Sequence, residues 1–247
     1  MRYFIELSYN GSGYHGWQIQ PTALTVQEVL EEALSKLLSD TISVVGAGRT
    51  DTGVHASQMF AHFDTDRLFD ADDLAYKLNS FLPFNIAIAR IFKVKPEAHA
   101  RFDAIRRSYL YRVSTKKNPF THRNAYYLKQ ELDLEKMNVA VKILFQYKDF
   151  QCFSKAHTDV KTYYCDIMKA KWFVREGELH FAITADRFLR NMVRAIVGTM
   201  INIGLGKLEV EELHDIIKSK NRSEAGYSVP AHGLYLTEVA YPESIRL

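Results

Sequence analysis

The sequence predicts an α+β fold, and three observations carry this prediction. Apolar and polar residues alternate over short runs, which is typical of half-buried strands. Longer runs carry apolar residues every three to four positions, and some open with capping residues, which indicates amphipathic helices. The two kinds of run follow one another as β-α-β-β-α-β in the first half of the chain and, with insertions, again in the second.

The first half combines strands with one apolar face and helices with one apolar stripe. Its first helix opens with the capping box Thr25-x-x-Glu28, in which each side chain can bond a backbone N–H of the first turn. The predicted elements are, in order, a strand at residues 2–8, a helix from Val26, strands near 42–46 and 58–64, a helix from about Asp72 and a strand near 86–91.

The second half repeats this order with one long helical run. Within that run Arg187, Arg190 and Arg194 are three and four positions apart, so we expect them to share one helical face. The predicted elements are a strand near 107–114, a helix capped by Asp133, strands near 165–175 and 178–185, helices over 188–203 and 210–217, and a strand from Leu234. Alternation places Tyr109 and Tyr111 on one face of their strand, and the strands near 165–175 and 178–185 are expected to form a hairpin with Gly177 in its turn.

Two such repeats predict two split βαβ units of the ferredoxin-like or RRM-like kind. We place the N-terminal half at residues 1–98 and the C-terminal half at residues 99–247. Their antiparallel or mixed sheets are expected to flank a central active-site cleft.

Composition permits a globular protein with a substantial core, since 47% of the 247 residues are hydrophobic and 25% are charged. No apolar run is long enough to span a membrane, and the N-terminus does not resemble a signal peptide, so we expect a cytoplasmic location. Cys152 and Cys165 have no metal-binding spacing and are expected to be reduced thiols. We assign no metal and no cofactor.

A basic and aromatic cluster lies between residues 101 and 117, although the net charge is only +3. Cations suit RNA phosphates and aromatic rings suit unstacked bases, but lysine and arginine also protect exposed strand edges. The cluster alone leaves both interpretations open. Its members are Arg101, Arg106, Arg107, Tyr109, Tyr111, Arg112, Lys116 and Lys117.

The most informative segment is the turn at residues 46–56, GAGRTDTGVHA, which places Arg49 and Asp51 among three glycines between two strands. A carboxylate held beside a cation at a strand end can serve as a nucleophile or general base. A purely structural role for an aspartate in such a turn is the simpler alternative.

Three short motifs compete for this turn, and each is incomplete. A dinucleotide-binding fingerprint needs glycine where Asp51 lies, and a P-loop needs Lys-Ser/Thr where Val54-His55 lies. The triplet Asp51-Thr52-Gly53 occurs once, so an aspartic protease would require a dimer to supply the second carboxylate.

Five ordered motifs along nearly the whole chain resemble the TruA family of tRNA pseudouridine synthases. The signature Gly-Arg-Thr-Asp-x-Gly-Val-His is matched at every position of residues 48–55. The other motifs are residues 9–20, YNGSGYHGWQIQ, with Asn10 in place of the family's Asp; residues 99–102, HARF, with Tyr109-Leu110-Tyr111; residues 188–194, FLRNMVR; and residues 233–236, GLYL.

The resemblance implies a role for each of four residues, and the position of Arg49 beside Asp51 suggests a role for a fifth. Asp51 would be the catalytic nucleophile, and Arg194 would keep its carboxylate ionised and oriented. Tyr109 would stack on the extruded uracil, although a strand tyrosine is more often a core residue. Leu234, a core residue on pattern alone, would lie against the base, and Arg49 would hold the nucleotide out of the stack or pair with an acid.

The family resemblance also implies the reaction and its partners. Uridines 38, 39 and 40 of the tRNA anticodon stem-loop would become pseudouridine without a cofactor, and the enzyme would be a homodimer. Departures at residues 146–152 and 226–230 leave the RNA target open. A paralogue that modifies another RNA site and a non-catalytic RNA-binding protein on the same scaffold are the alternatives.

Overall fold

A computed structural model describes residues 1–155 and 160–247 of the chain. These residues pack as two compact units, one formed by Met1–Arg106 together with Tyr235–Leu247 and the other by Arg107–Leu234. The division into halves at residue 98 and the cleft between them stay predictions. None of the described helices is long and apolar enough to cross a bilayer.

The described residues contain both predicted kinds of element, so the α+β class is confirmed. The α-helices among them are α1 Val26–Leu38, α2 Ala71–Phe81, α3 Leu134–Leu144, α4 Met192–Gly204 and α5 Glu212–Ser219. The strands are β1 Arg2–Tyr9, β2 Val45–Gly46, β3 His55–Asp64, β4 Ile86–Lys93, β5 Arg106–Ser114, β6 Tyr126–Tyr127, β7 Ile167–Arg175, β8 Glu178–Ala185 and β9 Leu234–Ala240.

The first unit is built on a sheet in which the strands lie in the order β4-β1-β3-β9. Strand β1 is antiparallel to both β3 and β4, as the predicted β-α-β-β-α-β order requires. The last strand of the chain joins this unit, where Tyr235 pairs in parallel with His55 of β3. The C-terminal motif is thereby attached to the first residue of the strand that follows the Asp51 turn.

The strand predicted near residues 42–46 is wrong in extent, because only Val45–Gly46 pairs with β3. The alternating apolar side chains of Ile42 and Val44 are buried, as a strand would bury them. Their backbone N–H groups, however, donate to the Ser35 hydroxyl at 2.9 Å and the Glu31 carboxylate at 2.8 Å. Side chains of α1 thus replace the partner strand.

The second unit is built on β5, β8 and β7, and the short β6 pairs with β5. The predicted β7–β8 hairpin is confirmed, with Arg175 opposite Glu178 across a two-residue turn. Strand β5 pairs antiparallel with β8, where Tyr109 lies opposite Ile183 and Tyr111 opposite Phe181. Helices α3 and α4 contribute buried faces to the core of this unit.

The helix predicted from residue 188 begins only at Met192, so Arg187 and Arg190 do not share a helical face with Arg194. Asn191 has a φ of 69°, which breaks the helix before its first turn. The apolar periodicity continues through the break because Leu189, although it lies in the loop that precedes the helix, is buried. Only Arg194 of the three arginines lies on α4.

A buried histidine in the first unit makes the stability of the protein depend on pH. Burial, together with the Arg2 and His99 charges, lowers the pKa of His62 to about 4, against about 6.5 in the unfolded chain. Between pH 4 and pH 6.5 the unfolded chain therefore binds more protons than the folded protein. The contribution of neutral His62 to the free energy of unfolding is complete above pH 6.5 and is lost as pH falls towards 4.

We expect wild-type protein to lose about 2 kcal/mol more unfolding free energy than His62→Asn between pH 7 and pH 5. The asparagine oxygen can still accept the hydrogen bond that Ala100 N–H donates to His62 Nδ1. Urea unfolding of both proteins at the two pH values measures the difference. Equal losses of unfolding free energy in the two proteins would show that His62 does not cause the loss of stability at acid pH.

Candidate active site

The Asp51 turn joins β2 to β3 in the first unit and is closed locally by backbone contacts. Val54 N–H donates to the Asp51 carbonyl at 3.1 Å, and strand β3 begins at the next residue. The Asp51 side chain is half-buried, whereas Arg49, two residues earlier, is exposed. The turn therefore presents a carboxylate at the start of a strand, as the sequence predicted.

A second segment, residues 9–17, holds this turn in place. The Tyr9 hydroxyl is 2.9 Å from the Thr50 hydroxyl, and Trp17 N–H donates to the Thr50 carbonyl at 3.2 Å. Gly53 N–H donates to the Tyr14 carbonyl at 3.3 Å. The residues on both sides of Asp51 are thus bonded to the N-terminal motif, which fixes the backbone that carries the carboxylate.

Two glycines of residues 9–17 allow this close approach. A Cβ at Gly11 would overlap the Val54 carbonyl, and a Cβ at Gly16 would overlap the Thr50 carbonyl. Gly16 also has a φ of 91°, a conformation that other residues rarely adopt. The sequence showed Gly11 and Gly16 within the motif at residues 9–20, but it gave no sign that they approach the Asp51 turn. Sequence reasoning therefore missed this supporting role.

His55 links the turn to the last strand. Its buried Nδ1 accepts a hydrogen bond from Gly11 N–H at 3.1 Å, so that nitrogen is unprotonated and the ring is neutral. The imidazole stacks on Tyr235 with the ring centres 4.6 Å apart. His55 is therefore a structural connector between the Asp51 turn, residues 9–17 and β9.

Arg49 has no hydrogen-bond or ion-pair partner within the part of the chain that the structure describes. The alternative of an ion pair with a neighbouring acid is therefore not found there. An exposed guanidinium on a constrained turn is available to an anionic or aromatic ligand.

The two tyrosines of β5 share one face of the strand, as predicted, but differ in environment. Tyr111 is fully buried, and its hydroxyl donates to the Pro230 carbonyl at 2.8 Å. Tyr109 is half-buried and packs edge-on against Phe188 with the ring centres 5.1 Å apart. Of the two rings, Tyr109 is the one with surface left for a ligand.

Arg194 lies in the first turn of α4 and is half-buried. Its Nε–H donates to the Val229 carbonyl at 2.7 Å, and Val229 N–H donates to the Arg194 carbonyl at 3.3 Å. The plane of the guanidinium is thereby fixed, which suits bidentate contact with a carboxylate.

Residues 226–230, where the sequence departs from the family pattern, are the segment that orients Arg194. The Arg222 guanidinium donates to the Gly226 carbonyl at 3.0 Å and to the Ser228 hydroxyl at 2.9 Å. Asn191 Nδ2 donates to the same hydroxyl at 2.7 Å. The substituted side chains thus leave intact the backbone carbonyl on which Arg194 depends.

Leu234 is buried and begins β9, directly after Gly233. A Cβ at Gly233 would meet the Tyr111 ring at 2.7 Å, so glycine is required for this approach. The structure therefore groups Arg49 and Asp51 in one turn of the first unit, and Tyr109, Arg194 and Leu234 in the second.

The cysteines do not offer an alternative nucleophile. Both side chains are buried, and burial raises the pKa of Cys152 and of Cys165 to about 12. A negligible fraction of either thiol is ionised near neutral pH. No cluster of three or more metal-binding side chains occurs among residues 1–155 and 160–247.

Comparison with known proteins identifies the class to which this fold and site belong. A model of the family described as tRNA pseudouridine synthase matches residues 7–103 and 140–242. Three relatives named tRNA pseudouridine synthase A illustrate the range of similarity. The protein of Parabacteroides distasonis is 54% identical over 246 residues, covering 99% of this chain and 97% of its own length.

The protein of Bacteroides thetaiotaomicron is 53% identical over 99% of this chain and 92% of its own length. The Bacillus subtilis protein is 39% identical over 98% of this chain and 99% of its own. These matches define an RNA-modifying isomerase. The chain belongs to the tRNA pseudouridine synthase family, and the family and enzyme class predicted from the sequence are confirmed.

Proposed function

We propose that this chain converts uridines 38, 39 and 40 of the tRNA anticodon stem-loop into pseudouridine, with Asp51 as the catalytic residue. The observation that carries the proposal is the half-buried Asp51 carboxylate. On either side of it in the turn, Thr50 and Gly53 are hydrogen-bonded to residues 9–17. Membership of the tRNA pseudouridine synthase family supplies the substrate class.

The reaction breaks the N1–C1′ bond of uridine, turns the uracil and forms a C5–C1′ bond. The proton on C5 is lost and N1 gains one, so atoms and charge balance without an oxidant or a group donor. Asp51 attacks as a nucleophile or assists a glycal intermediate, and a rigid carboxylate serves either route because its orientation is set before the substrate binds. We propose no cofactor and no metal.

We propose that Arg194 and Tyr109 complete the site around the carboxylate and the base. The fixed guanidinium of Arg194 would keep Asp51 ionised and in one rotamer. The half-buried Tyr109 would stack on the uracil while Leu234 closes the other side. Leu234 is followed directly by Tyr235, which pairs with His55 four residues after Asp51, and this connection supports the assignment.

The target uridine must leave its stack before Asp51 can reach it, at a cost of a few kcal/mol. We propose that Arg49 occupies the place of the flipped nucleotide, for which its exposure and lack of a described partner suit it. The basic and aromatic cluster at residues 101–117 would contact phosphates and offset the remaining cost.

We further propose that the enzyme acts as a homodimer and in the cytoplasm, where tRNA is found. Because residues 146–152 and 226–230 depart from the family pattern, the alternative is a paralogue that modifies another RNA site. The family match gives no support to the aspartic protease interpretation of Asp51-Thr52-Gly53.

Mapping of modified bases tests the proposal. Purified protein is incubated with tRNA transcripts that carry uridine at position 38, 39 or 40, and pseudouridine is located by carbodiimide labelling and primer extension. We expect modification at these positions and not elsewhere in the transcript. Modification at another site would establish the paralogue, and no modification in any tRNA would favour a non-catalytic RNA-binding protein.

A further inference from the structure

The turn between α2 and β4 presents an unusual side chain near the proposed catalytic turn. Phe84 lies at the tip of this turn with a relative exposure of 111%, so its ring has no packing partner in the described residues. Exposing a whole aromatic ring gives up the hydrophobic free energy that its burial would contribute. What distinguishes Phe84 from other exposed rings, such as Tyr76, is that it also lines a cavity, so that a ligand in the cavity could cover it.

The turn that carries Phe84 is rigid and is joined to the Asp51 support. Ile86 N–H donates to the Pro83 carbonyl at 2.9 Å, and Asn10 N–H donates to the Asn85 carbonyl at 2.9 Å. The Tyr14 hydroxyl donates to Asn85 Oδ1 at 2.7 Å. Since the Tyr14 carbonyl also accepts from Gly53 N–H, one residue bonds both turns.

A cavity of about 270 Å³ opens beside the ring. Its lining supplies hydroxyl, amide and aromatic groups, and no lining side chain carries a formal charge. With Asn85 Oδ1 engaged by Tyr14, Asn85 Nδ2 keeps N–H donors for which the described residues show no acceptor. The lining includes Ser8, Ser57, Phe84, Asn85 and Tyr235.

This chemistry fits a nucleobase better than a phosphate or a protein. A phosphate would require cations, and a protein partner would require a broad apolar area, whereas Phe84 is the single large apolar side chain exposed among the lining residues. A planar base can stack on the ring while its carbonyl or ring nitrogen accepts from Asn85 Nδ2. The volume lies just below the usual range of about 300–1,000 Å³ for drug-sized ligands.

We propose that Phe84 and this cavity form a second base-binding subsite, which holds an unpaired base of the same tRNA close to the uridine on which Asp51 acts. The inference rests on the proposed function, since the anticodon loop would supply unpaired bases beside position 38. The subsite contributes to RNA affinity and to the choice of uridine, and it takes no part in the bond rearrangement.

The test replaces Phe84 by alanine and by tyrosine and measures binding and turnover of an anticodon stem-loop. We expect Phe84→Ala to weaken RNA binding roughly 5- to 150-fold, which corresponds to the loss of one stacked base. Phe84→Tyr keeps the ring and should bind like the wild type. At saturating RNA all three proteins should turn over at similar rates, because the bonds to Asn85 do not involve the Phe84 side chain.

A fluorescent base and a matched surface variant sharpen the result. With 2-aminopurine substituted in turn at each nucleotide flanking the target, wild type and Phe84→Tyr should quench at least one position that Phe84→Ala does not. Tyr76→Ala, which removes another exposed ring from α2 of the same unit, should leave binding and quenching unchanged. Thermal unfolding of each variant controls for folding.

Three outcomes would overturn the subsite. All three leave the RNA affinity of Phe84→Ala unchanged. Affinity alone could be unchanged with nothing else altered; turnover at saturating RNA could fall, which would place the ring in the reaction; or an oligomer could dissociate, which would assign the ring to a protein contact. A wild type that binds and quenches but forms no pseudouridine would instead contradict the proposed function alone.

Discussion

Replacement of Asp51 by asparagine is expected to abolish pseudouridine formation, by at least about 10⁴-fold in kcat, while tRNA binding is largely retained. The amide has nearly the shape of the carboxylate and can keep similar hydrogen bonds, but it cannot act as the charged nucleophile. Tritium release from tRNA labelled at C5 of uracil measures the reaction, and a filter-binding assay measures affinity.

Two further variants separate charge from position. Asp51→Glu keeps the charge but moves it by one methylene in a turn whose backbone cannot adjust, so it too should lose most activity. Thr52→Ala alters the neighbouring exposed side chain of the same turn and should retain activity. Tritium release by Asp51→Asn at a rate near that of the wild type would remove Asp51 from the reaction.

The second large effect is expected at a residue outside the signature turn. Gly16→Ala places a Cβ against the Thr50 carbonyl at a φ of 91°, so the Asp51 backbone must move. A displacement of about 1 Å can cost roughly 100-fold in rate, and we expect at least that loss in kcat. Unfolding free energy should also fall, since the strain has no local relief.

Gly48→Ala is the matched control for this prediction. Gly48 lies within the signature turn itself, yet an added Cβ there would have no heavy atom within 4 Å. We therefore expect near wild-type activity and stability from Gly48→Ala. If Gly48→Ala proved the more damaging of the two substitutions, the support of Asp51 by residues 9–17 would be refuted.

Local patterns were sufficient wherever neighbouring residues determine the structure. The capping box predicted the start of α1, where the Thr25 hydroxyl does accept from Glu28 N–H at 3.3 Å. Alternation predicted that Tyr109 and Tyr111 share a face, and the ordered motifs predicted the family. The same local reasoning failed at residue 188, where apolar spacing continues past a backbone break at Asn191 that the spacing cannot reveal.

The sequence alone therefore predicts the family, the order of the elements and the candidate catalytic aspartate, because these depend on short spacings and residue types. Which segment holds that aspartate is not, because Tyr9 and Thr50 are 41 positions apart and meet only when β1 and β3 pair. Strand β9 joins β3 across an even longer separation. Such contacts arise from burial and pairing of whole elements, and no local pattern encodes them.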